Sequence, residues 1–199
     1  MNTIQKNSSV LLFPGPPSQA SAKTVRGGGT GHWWNRKIDS LRHARIVRAI
    51  IIRKARPSDI AVIAEFNRRM AWETERRRLN PDRVRRGVSA LLKQPGKGIY
   101  FVAETKGAVV GQLLITYEWS DWRNGTFWWI QSVYVREDLR GQGIFRRLFK
   151  QVAKLAKKRR DACGLRLYVD AHNGGARQTY TRLGMKKTGY ELFETDFVL

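Results

Sequence analysis

The stretch from Val133 to Phe149 constrains the fold of this chain more than any other part of its sequence. A run of β-branched and aromatic residues breaks into a turn with glycines at 141 and 143, and apolar residues then recur three or four positions apart. This pattern predicts a strand, a tight loop and the start of a helix. Glycines let the loop turn its N–H groups outward, and the helix dipole adds positive potential at the same place. We therefore expect an anion, most simply a phosphate, at this loop.

The loop alone does not define a function. Its spacing differs from the Gly-x-x-x-x-Gly-Lys-Ser/Thr of a nucleotide-binding P-loop, so a P-loop is not indicated. It also lacks the third glycine of the dinucleotide-binding fingerprint. A turn that needs positive φ explains the two glycines equally well.

The composition limits the class of protein. The chain has 199 residues, 42% of them hydrophobic, which is enough for one sizeable core. No run of eighteen apolar residues occurs, so no membrane span is predicted. The single cysteine, Cys163, excludes an internal disulfide framework and fits a reducing compartment such as the cytoplasm. The three histidines show no ligand spacing, so no metal is expected.

The net charge is unusual: 38 basic and 16 acidic residues give +22. Such a field attracts nucleic acid, acidic membranes and phosphorylated cofactors. The basic runs at 76–86 and 146–160 fall on predicted helices, where charged residues generally form a solvated face. Aromatic residues do not interleave these runs as they would in a single-strand stacking platform, so nucleic-acid binding is not expected as a main function.

The chain divides into an extension and a domain. Residues 1–48 are basic, contain Ser, Pro and Gly clusters, and are expected to be disordered. A transit peptide, which would place the protein in an organelle, or an assigned start upstream of the true one would also explain this extension. Residues 49–199 are expected to form one domain.

Within that domain, hydrophobic periodicity and turn residues predict ten elements. They are a strand at 50–55, helices starting near 60 and at 81–93, strands at 98–104, 108–118 and 126–135, a helix at 143–159, a strand at 165–169, a helix at 176–183, and a strand at 190–198. This order is typical of an α/β (α+β) domain with a mixed, mostly antiparallel twisted sheet of about six to seven strands and helices on both faces.

A second motif lies after the predicted helix and strand. Asn173-Gly-Gly-Ala176-Arg-Gln-Thr-Tyr180-Thr-Arg-Leu-Gly184-Met185 resembles the Asn-x-x-Ala-x-x-x-Tyr-x-x-x-Gly-Phe/Met signature of the GNAT superfamily of N-acetyltransferases. The loop Arg140-Gly-Gln-Gly143-Ile-Phe145 is similar to the Arg/Gln-x-x-Gly-x-Gly/Ala of that superfamily and departs from it at Phe145. Because both motifs occur in the superfamily's order, residues 50–199 are identified as a member.

The resemblance implies the acyl-CoA N-acyltransferase fold, with splayed central strands, and acetyl-CoA as the cofactor. In this superfamily the strand before the loop bulges, and its free backbone groups bind the pantetheine arm. The N–H of Val133 is implied to lie near the thioester oxygen, and Arg140 and Arg146 to neutralise phosphate charge. The residues implied to bind the cofactor are Ser132, Val133, Tyr134, Val135, Arg140, Gly141, Gln142, Gly143, Ile144, Phe145, Arg146, Asn173, Ala176 and Tyr180.

Acyl transfer from a thioester needs a deprotonated amine and a proton donor for the leaving thiolate. Tyr180 occupies the superfamily position of that donor, and a phenol with a pKa near 10 can donate to a thiolate whose conjugate acid is near 8.5. Packing on the core face of a short helix is the structural alternative for Tyr180. Glu73 and Glu75 are the catalytic-base candidates, with Glu118 and Asp121 as further carboxylates; a water chain or pairing with nearby arginines are the alternatives.

The predicted acceptor-binding residues are Glu118, Asp121, Trp122 and Gln131. Polyamine and thialysine acetyltransferases carry an acidic residue where this chain has Gln131, and a charge of +22 repels a polycation. The resemblance therefore favours direct transfer, in a ternary complex, to a primary amine of a small molecule or amino acid. Protein or peptide N-acetylation and a non-catalytic acyl-CoA or nucleic-acid binding module are the alternatives. The oligomeric state, including a homodimer, stays open.

Overall fold

The computed structural model describes residues 49–197, so the predicted disorder of residues 1–48 lies outside the described residues. Its elements are β1 (Ile51–Lys54), α1 (Ile60–Glu75), α2 (Pro81–Lys93), β2 (Ile99–Thr105), β3 (Ala108–Ser120), β4 (Gly125–Val135), α3 (Ile144–Lys158), β5 (Ala162–Leu167) and α4 (Gly174–Arg182). Within this part of the chain, no helix is long and apolar enough to cross a membrane.

The boundaries of the first two helices follow from local chemistry. Asn80 caps α2 by accepting the N–H of Arg83 at 2.9 Å, and Pro81 occupies the first helical position, where no N–H is needed. Helix α1 ends where Arg76 adopts a left-handed conformation with φ of 53°. This left-handed cap fixes the end of α1, the turn of the helix that carries Glu73 and Glu75.

The sheet has five strands in the order β1-β2-β3-β4-β5. The first four strands are antiparallel to their neighbours in sequence, whereas β5 lies parallel to β4 after the α3 crossover. The predicted mixed, mostly antiparallel sheet is confirmed, with five strands rather than six to seven. Side chains alternate between two layers: Phe101, Leu113 and Val133 pack with α3 and α4, and Tyr100 and Leu114 pack with α1 and α2.

The prediction of a final strand at 190–198 is wrong for the residues that the structure describes. Residues 190–197 have no regular secondary structure, and Tyr190, Phe193 and Phe197 are 81%, 89% and 91% exposed. The segment has β-forming residues, but acidic residues interrupt both of its faces. Because neither face is continuously apolar, the alternation offers no surface that would anchor the segment to the sheet.

Candidate active site

Strand β4 contains a bulge. Gln112 of β3 pairs with Tyr134 and Leu114 pairs with Gln131, so Ser132 and Val133 together oppose a single residue of β3. Ser132 has a positive φ of 46°, which is uncommon for a residue other than glycine. Bulges and such backbone angles cluster at functional sites because they re-aim backbone groups.

Beyond the bulge, β4 separates from β5. Their parallel pairing runs from Thr126 to Ile130 on β4, and the last pair is Ile130 with Leu167. Within residues 49–197, β5 gives no ladder partner to Ser132–Val135. The splayed strands that the sequence motifs implied are present, and they leave a backbone edge that an extended, amide-containing ligand can pair with.

The glycine loop leads from this open edge into α3. Gly141 and Gly143 have φ of 76° and 78°, and α3 begins at the next residue, Ile144. A Cβ on Gly143 would lie 3.4 Å from the guanidinium of Arg146, so that cation sits directly beside the loop. The turn, the helix N-terminus and Arg146 together concentrate positive potential at one point.

Phe145, the residue that departs from the superfamily motif, turns into the core rather than toward the loop. It is 1% exposed and packs against Phe149, with ring centroids 6.1 Å apart, and edge-on against Tyr180 at 5.8 Å. The Phe145 ring therefore packs against Tyr180 in the core and does not occupy the glycine loop.

Arg140 has a different set of contacts from the phosphate contact that the motif implied. Its Nη2 donates to Glu73 Oε2 at 2.6 Å, its Nε donates to the carbonyl oxygen of Val135 at 2.9 Å, and its guanidinium lies 5.3 Å from the centre of the Tyr134 ring. Glu73 also accepts the hydroxyl of Tyr134 at 3.1 Å. Glu73, one of the catalytic-base candidates, is thus held between Arg140 and Tyr134, while Glu75 is the last residue of α1.

Tyr180 is buried, and its hydroxyl has no hydrogen-bond partner within the described part of the chain. Burial raises the pKa of this phenol well above its ordinary value. Asn173 caps α4, since its side-chain oxygen accepts the N–H of Ala176 at 3.0 Å. The capping places Tyr180 two turns into the helix, on the side that faces Phe145.

The predicted acceptor residues lie in two different places. Glu118 accepts both Trp129 Nε1 and Arg166 Nη1 at 2.5 Å, and Gln131 donates to Thr116 Oγ1 at 2.9 Å, on the sheet surface next to the separation of β4 and β5. Asp121 accepts the backbone N–H of Trp122 in the hairpin turn, and Trp122 is 84% exposed. This turn precedes the bulge by a length of strand of roughly 20 Å, so the structure does not bring Asp121 and Trp122 to the bulge.

Several residues around the site were not identified from the sequence. Gln112 and Tyr100 lie under the bulge, and Tyr168 lies against Trp129 with ring centroids 4.3 Å apart. A glutamine inside the apolar run Val109–Ile115 was the available signal for Gln112. Among residues 49–197, no group of three histidine, cysteine or acidic side chains is placed to hold a metal ion.

Comparison with known proteins assigns the family. The model of the acetyltransferase (GNAT) family matches residues 59–185. The chain belongs to the GNAT family. A possible acetyltransferase from Clostridium difficile 630 is 44% identical, with 76% of this chain and 99% of that chain covered and a TM-score of 0.70. Among curated proteins, none matches the chain significantly.

More distant GNAT-like structures agree in fold. A predicted acetyltransferase from Clostridium acetobutylicum, in a structure with acetyl-CoA, is 20% identical with a TM-score of 0.60, covering 73% of this chain and 96% of that chain. A ribosomal-protein-alanine N-acetyltransferase from Brucella melitensis biovar Abortus 2308 is 19% identical with a TM-score of 0.61, covering 75% of this chain and 100% of that chain. Membership of the GNAT family makes acetyl transfer from acetyl-CoA the expected chemistry of the open edge and the glycine loop.

Proposed function

We propose that this protein is an acetyl-CoA-dependent N-acetyltransferase that acetylates a primary amine of a small molecule or amino acid, by direct transfer in a ternary complex. The observation that carries the proposal is the buried hydroxyl of Tyr180, which has no hydrogen-bond partner within the described residues and lies in the same core cluster as Val133 at the bulge. Buried hydroxyls are normally hydrogen-bonded, so this one leaves a position that a ligand can complete.

The surroundings of Tyr180 fit acetyl-CoA. The loop amides at Gly141 and Gly143, the N-terminus of α3 and Arg146 suit a pyrophosphate. Residues Ser132–Val135 offer an edge to the amide-bearing arm of the cofactor, as an added strand would use it. Because its guanidinium is held by Glu73, Arg140 is proposed to set the shape of the loop through its side chain.

The proposed chemistry divides among a few groups. When bound, acetyl-CoA supplies the acetyl group as a thioester, and the amine replaces the thiolate of CoA. Tyr180 is protonated at neutral pH even at the ordinary pKa of a phenol, near 10, and burial raises that pKa further, so its hydroxyl carries the proton that it is proposed to donate to the thiolate. The N–H of Val133 is proposed to donate to the carbonyl oxygen as negative charge develops. Glu75 is proposed to take the proton of the amine, while Glu73 holds Arg140 and Tyr134.

The acceptor is proposed to bind on the sheet surface beside Glu118. That carboxylate is fixed by Trp129 and Arg166, and Arg166 stacks 3.7 Å from the centre of the Phe127 ring. A carboxylate next to a guanidinium presents both signs of charge, which suits an amino acid with its own ammonium and carboxylate groups. The aromatic rings suit an alkyl ammonium as well.

A thiol-release assay tests the proposal. Purified protein is given acetyl-CoA and a panel of monoamines, diamines, amino acids and short peptides, and acetylated products are identified by mass spectrometry. We expect CoA release with an amine or amino acid and a matching loss in Tyr180→Phe. Release with peptides alone would favour the peptide alternative. Acetyl-CoA binding without release for any acceptor would overturn the proposal in favour of a non-catalytic binding module.

A further inference from the structure

Four residues from four different elements form a hydrogen-bonded network around the bulge. Gln112 Nε2 donates to Asn67 Oδ1 at 2.6 Å and to the carbonyl oxygen of Ser132 at 3.3 Å. Asn67 Nδ2 donates to the hydroxyl of Tyr100 at 3.0 Å, and that hydroxyl lies beside the side chain of Ser132. We call Asn67, Tyr100, Gln112 and Ser132 the bulge network. It connects α1, β2 and β3 to the one left-handed residue of β4.

The bulge network is buried at a position where an apolar side chain would be easier to accommodate. Gln112 is 0% exposed and its neighbours along β3, Leu113 and Leu114, are core residues. Its Oε1 has no hydrogen-bond partner among residues 49–197. Burying an amide with one atom unsatisfied is unfavourable, so packing alone does not explain a glutamine here. We therefore look for the function of Gln112 in the two groups that accept hydrogen bonds from its Nε2, Asn67 Oδ1 and the carbonyl oxygen of Ser132.

The hydrogen bond from Gln112 to the Ser132 oxygen also fixes the direction of the Val133 N–H. The carbonyl oxygen of Ser132 and the N–H of Val133 belong to the same peptide unit, and residues 49–197 contain no cis peptide bonds. In a trans peptide these two groups point in opposite directions. Because Gln112 fixes the Ser132 oxygen on its own side, the Val133 N–H is aimed away from Gln112. A hydrogen bond to the oxygen also polarises the unit and strengthens the N–H as a donor.

We propose that Gln112 is a positioning residue for acetyl transfer, which holds the Ser132–Val133 peptide so that the Val133 N–H meets the developing charge on the thioester oxygen. This inference rests on the proposed function. Asn67 and Tyr100 keep the Gln112 amide and the Ser132 side chain in place from the α1 side. Gln112 acts only through the Ser132–Val133 peptide unit, so it contributes more to the rate than to the affinity for free CoA, which lacks the thioester oxygen that the Val133 N–H would meet.

Two substitutions and a matched control test this role. Gln112→Met keeps the length of the side chain and removes both donated hydrogen bonds; Gln112→Glu keeps acceptor oxygens and removes the donor. Thr105→Val is the control, because Thr105 is also a buried polar residue, its hydroxyl has no hydrogen-bond partner among residues 49–197, and it lies at the end of β2. Each variant is measured for kcat, for CoA affinity and melting temperature, and for the ¹⁵N–¹H resonance of Val133 without ligand.

We expect both Gln112 variants to lose roughly 10- to 100-fold in kcat, the loss typical of a catalytic group displaced by about 1 Å. Their CoA dissociation constants should change much less than kcat, because the glycine loop is untouched and free CoA has no thioester oxygen for the Val133 N–H to contact. The Val133 resonance should shift in both variants and remain unchanged in Thr105→Val.

The two proposals fail in different ways. A wild-type kcat in Gln112→Met, or an unmoved Val133 resonance, would overturn the positioning role. Equal losses of kcat, CoA affinity and melting temperature would also overturn it, because they describe a purely structural residue. If the wild-type protein released no CoA with any acceptor, the proposed function would fail, and this inference with it, whatever the Val133 resonance did.

Discussion

The carboxylate of Glu73, on the last turn of α1, lies 2.6 Å from the guanidinium of Arg140, on the glycine loop. The two residues are far apart in sequence, and both side chains are largely buried, at 29% and 15% exposed. The pair connects the C-terminal end of α1 to the glycine loop. It therefore links the helix that carries both catalytic-base candidates directly to the proposed cofactor side of the site.

Replacing Glu73 tests whether this carboxylate positions Arg140 or acts as a base. Glu73→Gln should lower the free energy of unfolding by about 1–2 kcal/mol, because a charge-assisted hydrogen bond becomes a neutral one. The acid limb of the pH–kcat profile should persist, since the group that titrates is elsewhere. Glu65→Gln on the same helix is the control: its partners Arg68 and Arg69 are exposed, so no measurable change is expected. Disappearance of the acid limb in Glu73→Gln would instead identify Glu73 as the base.

Removing the hydroxyl of Tyr180 should separate activity from stability. Tyr180→Phe deletes a buried group that has no hydrogen-bond partner in the described residues, so the unfolding free energy should stay the same or rise by about 1 kcal/mol. The kcat should fall by roughly 100-fold, the range of a lost general acid. Chemical denaturation and steady-state kinetics measure the two effects. Full kcat at every pH, with CoA binding intact, would remove Tyr180 from the mechanism.

The ion pair of Asp59 with Arg53 should control stability in acid. Burial of Asp59 by itself disfavours the carboxylate, but Arg53 at 2.6 Å and the N–H of Arg56 at 2.7 Å outweigh it, so the pKa of Asp59 is lowered on folding. A lowered pKa gives stability that is complete above the ordinary value near pH 4 and is lost as the pH falls through the folded value. The unfolding free energy of the wild type should therefore drop below about pH 4.

Asp59→Asn should lower stability at pH 7 by about 1–2 kcal/mol, because charge-assisted hydrogen bonds become neutral ones while Arg53 keeps its ion pair with Glu104, and should flatten the acid limb. Asp121→Asn is the control, since Asp121 is exposed and an asparagine oxygen still accepts the N–H of Trp122. Urea denaturation between pH 2.5 and 7 gives both curves. A parallel acid limb in Asp59→Asn and the wild type would contradict this assignment.

Two glycine-to-alanine substitutions should change the free energy of unfolding in opposite directions. A Cβ on Gly164 of β5 would lie 2.7 Å from the ring of Phe127, so Gly164→Ala should destabilise the protein by about 1–3 kcal/mol. A Cβ on Gly87 of α2 meets nothing within 4 Å, so Gly87→Ala should stabilise by about 0.5–1 kcal/mol through helix propensity. Thermal unfolding of both variants measures the difference. Equal shifts would contradict the close approach of Gly164 and Phe127.

Sequence patterns predicted the parts of the site that are local along the chain. The strand, loop and helix around Gly141 and Gly143 follow from glycine placement and helical periodicity, and α4 (Gly174–Arg182) lies within two residues of the helix predicted at 176–183. The partner of Arg140 could not be predicted in this way. Several carboxylates are within reach of an arginine side chain in principle, and only the approach of α1 to the loop selects Glu73.

The C-terminal segment and Gln112 both show where prediction from a single sequence fails. The first was predicted as a strand that residues 190–197 do not form, and the second has contacts that the sequence did not predict. Residues 190–197 have strand-forming composition but no continuous apolar face. Their local preference for extended backbone is therefore not enough to pair them with the sheet. Gln112 reads as an interruption of an apolar strand, and its meaning depends on Asn67 and Ser132, which reach it from other elements. Non-local hydrogen bonds carry no signature in a single sequence.

The same terminal segment bears on how the protein behaves at high concentration. Within residues 49–197, β5 has a strand neighbour only at β4, and exposed aromatic residues at 190, 193 and 197 lie in the chain that follows α4. An open sheet edge and exposed aromatic rings together favour aggregation, which charged residues in the same segment oppose. Glu191, Glu194 and Asp196 supply that charge. These charges interrupt both faces of the segment, so we expect them to oppose its pairing with an open sheet edge, and the chain's net charge of +22 opposes association between copies in addition.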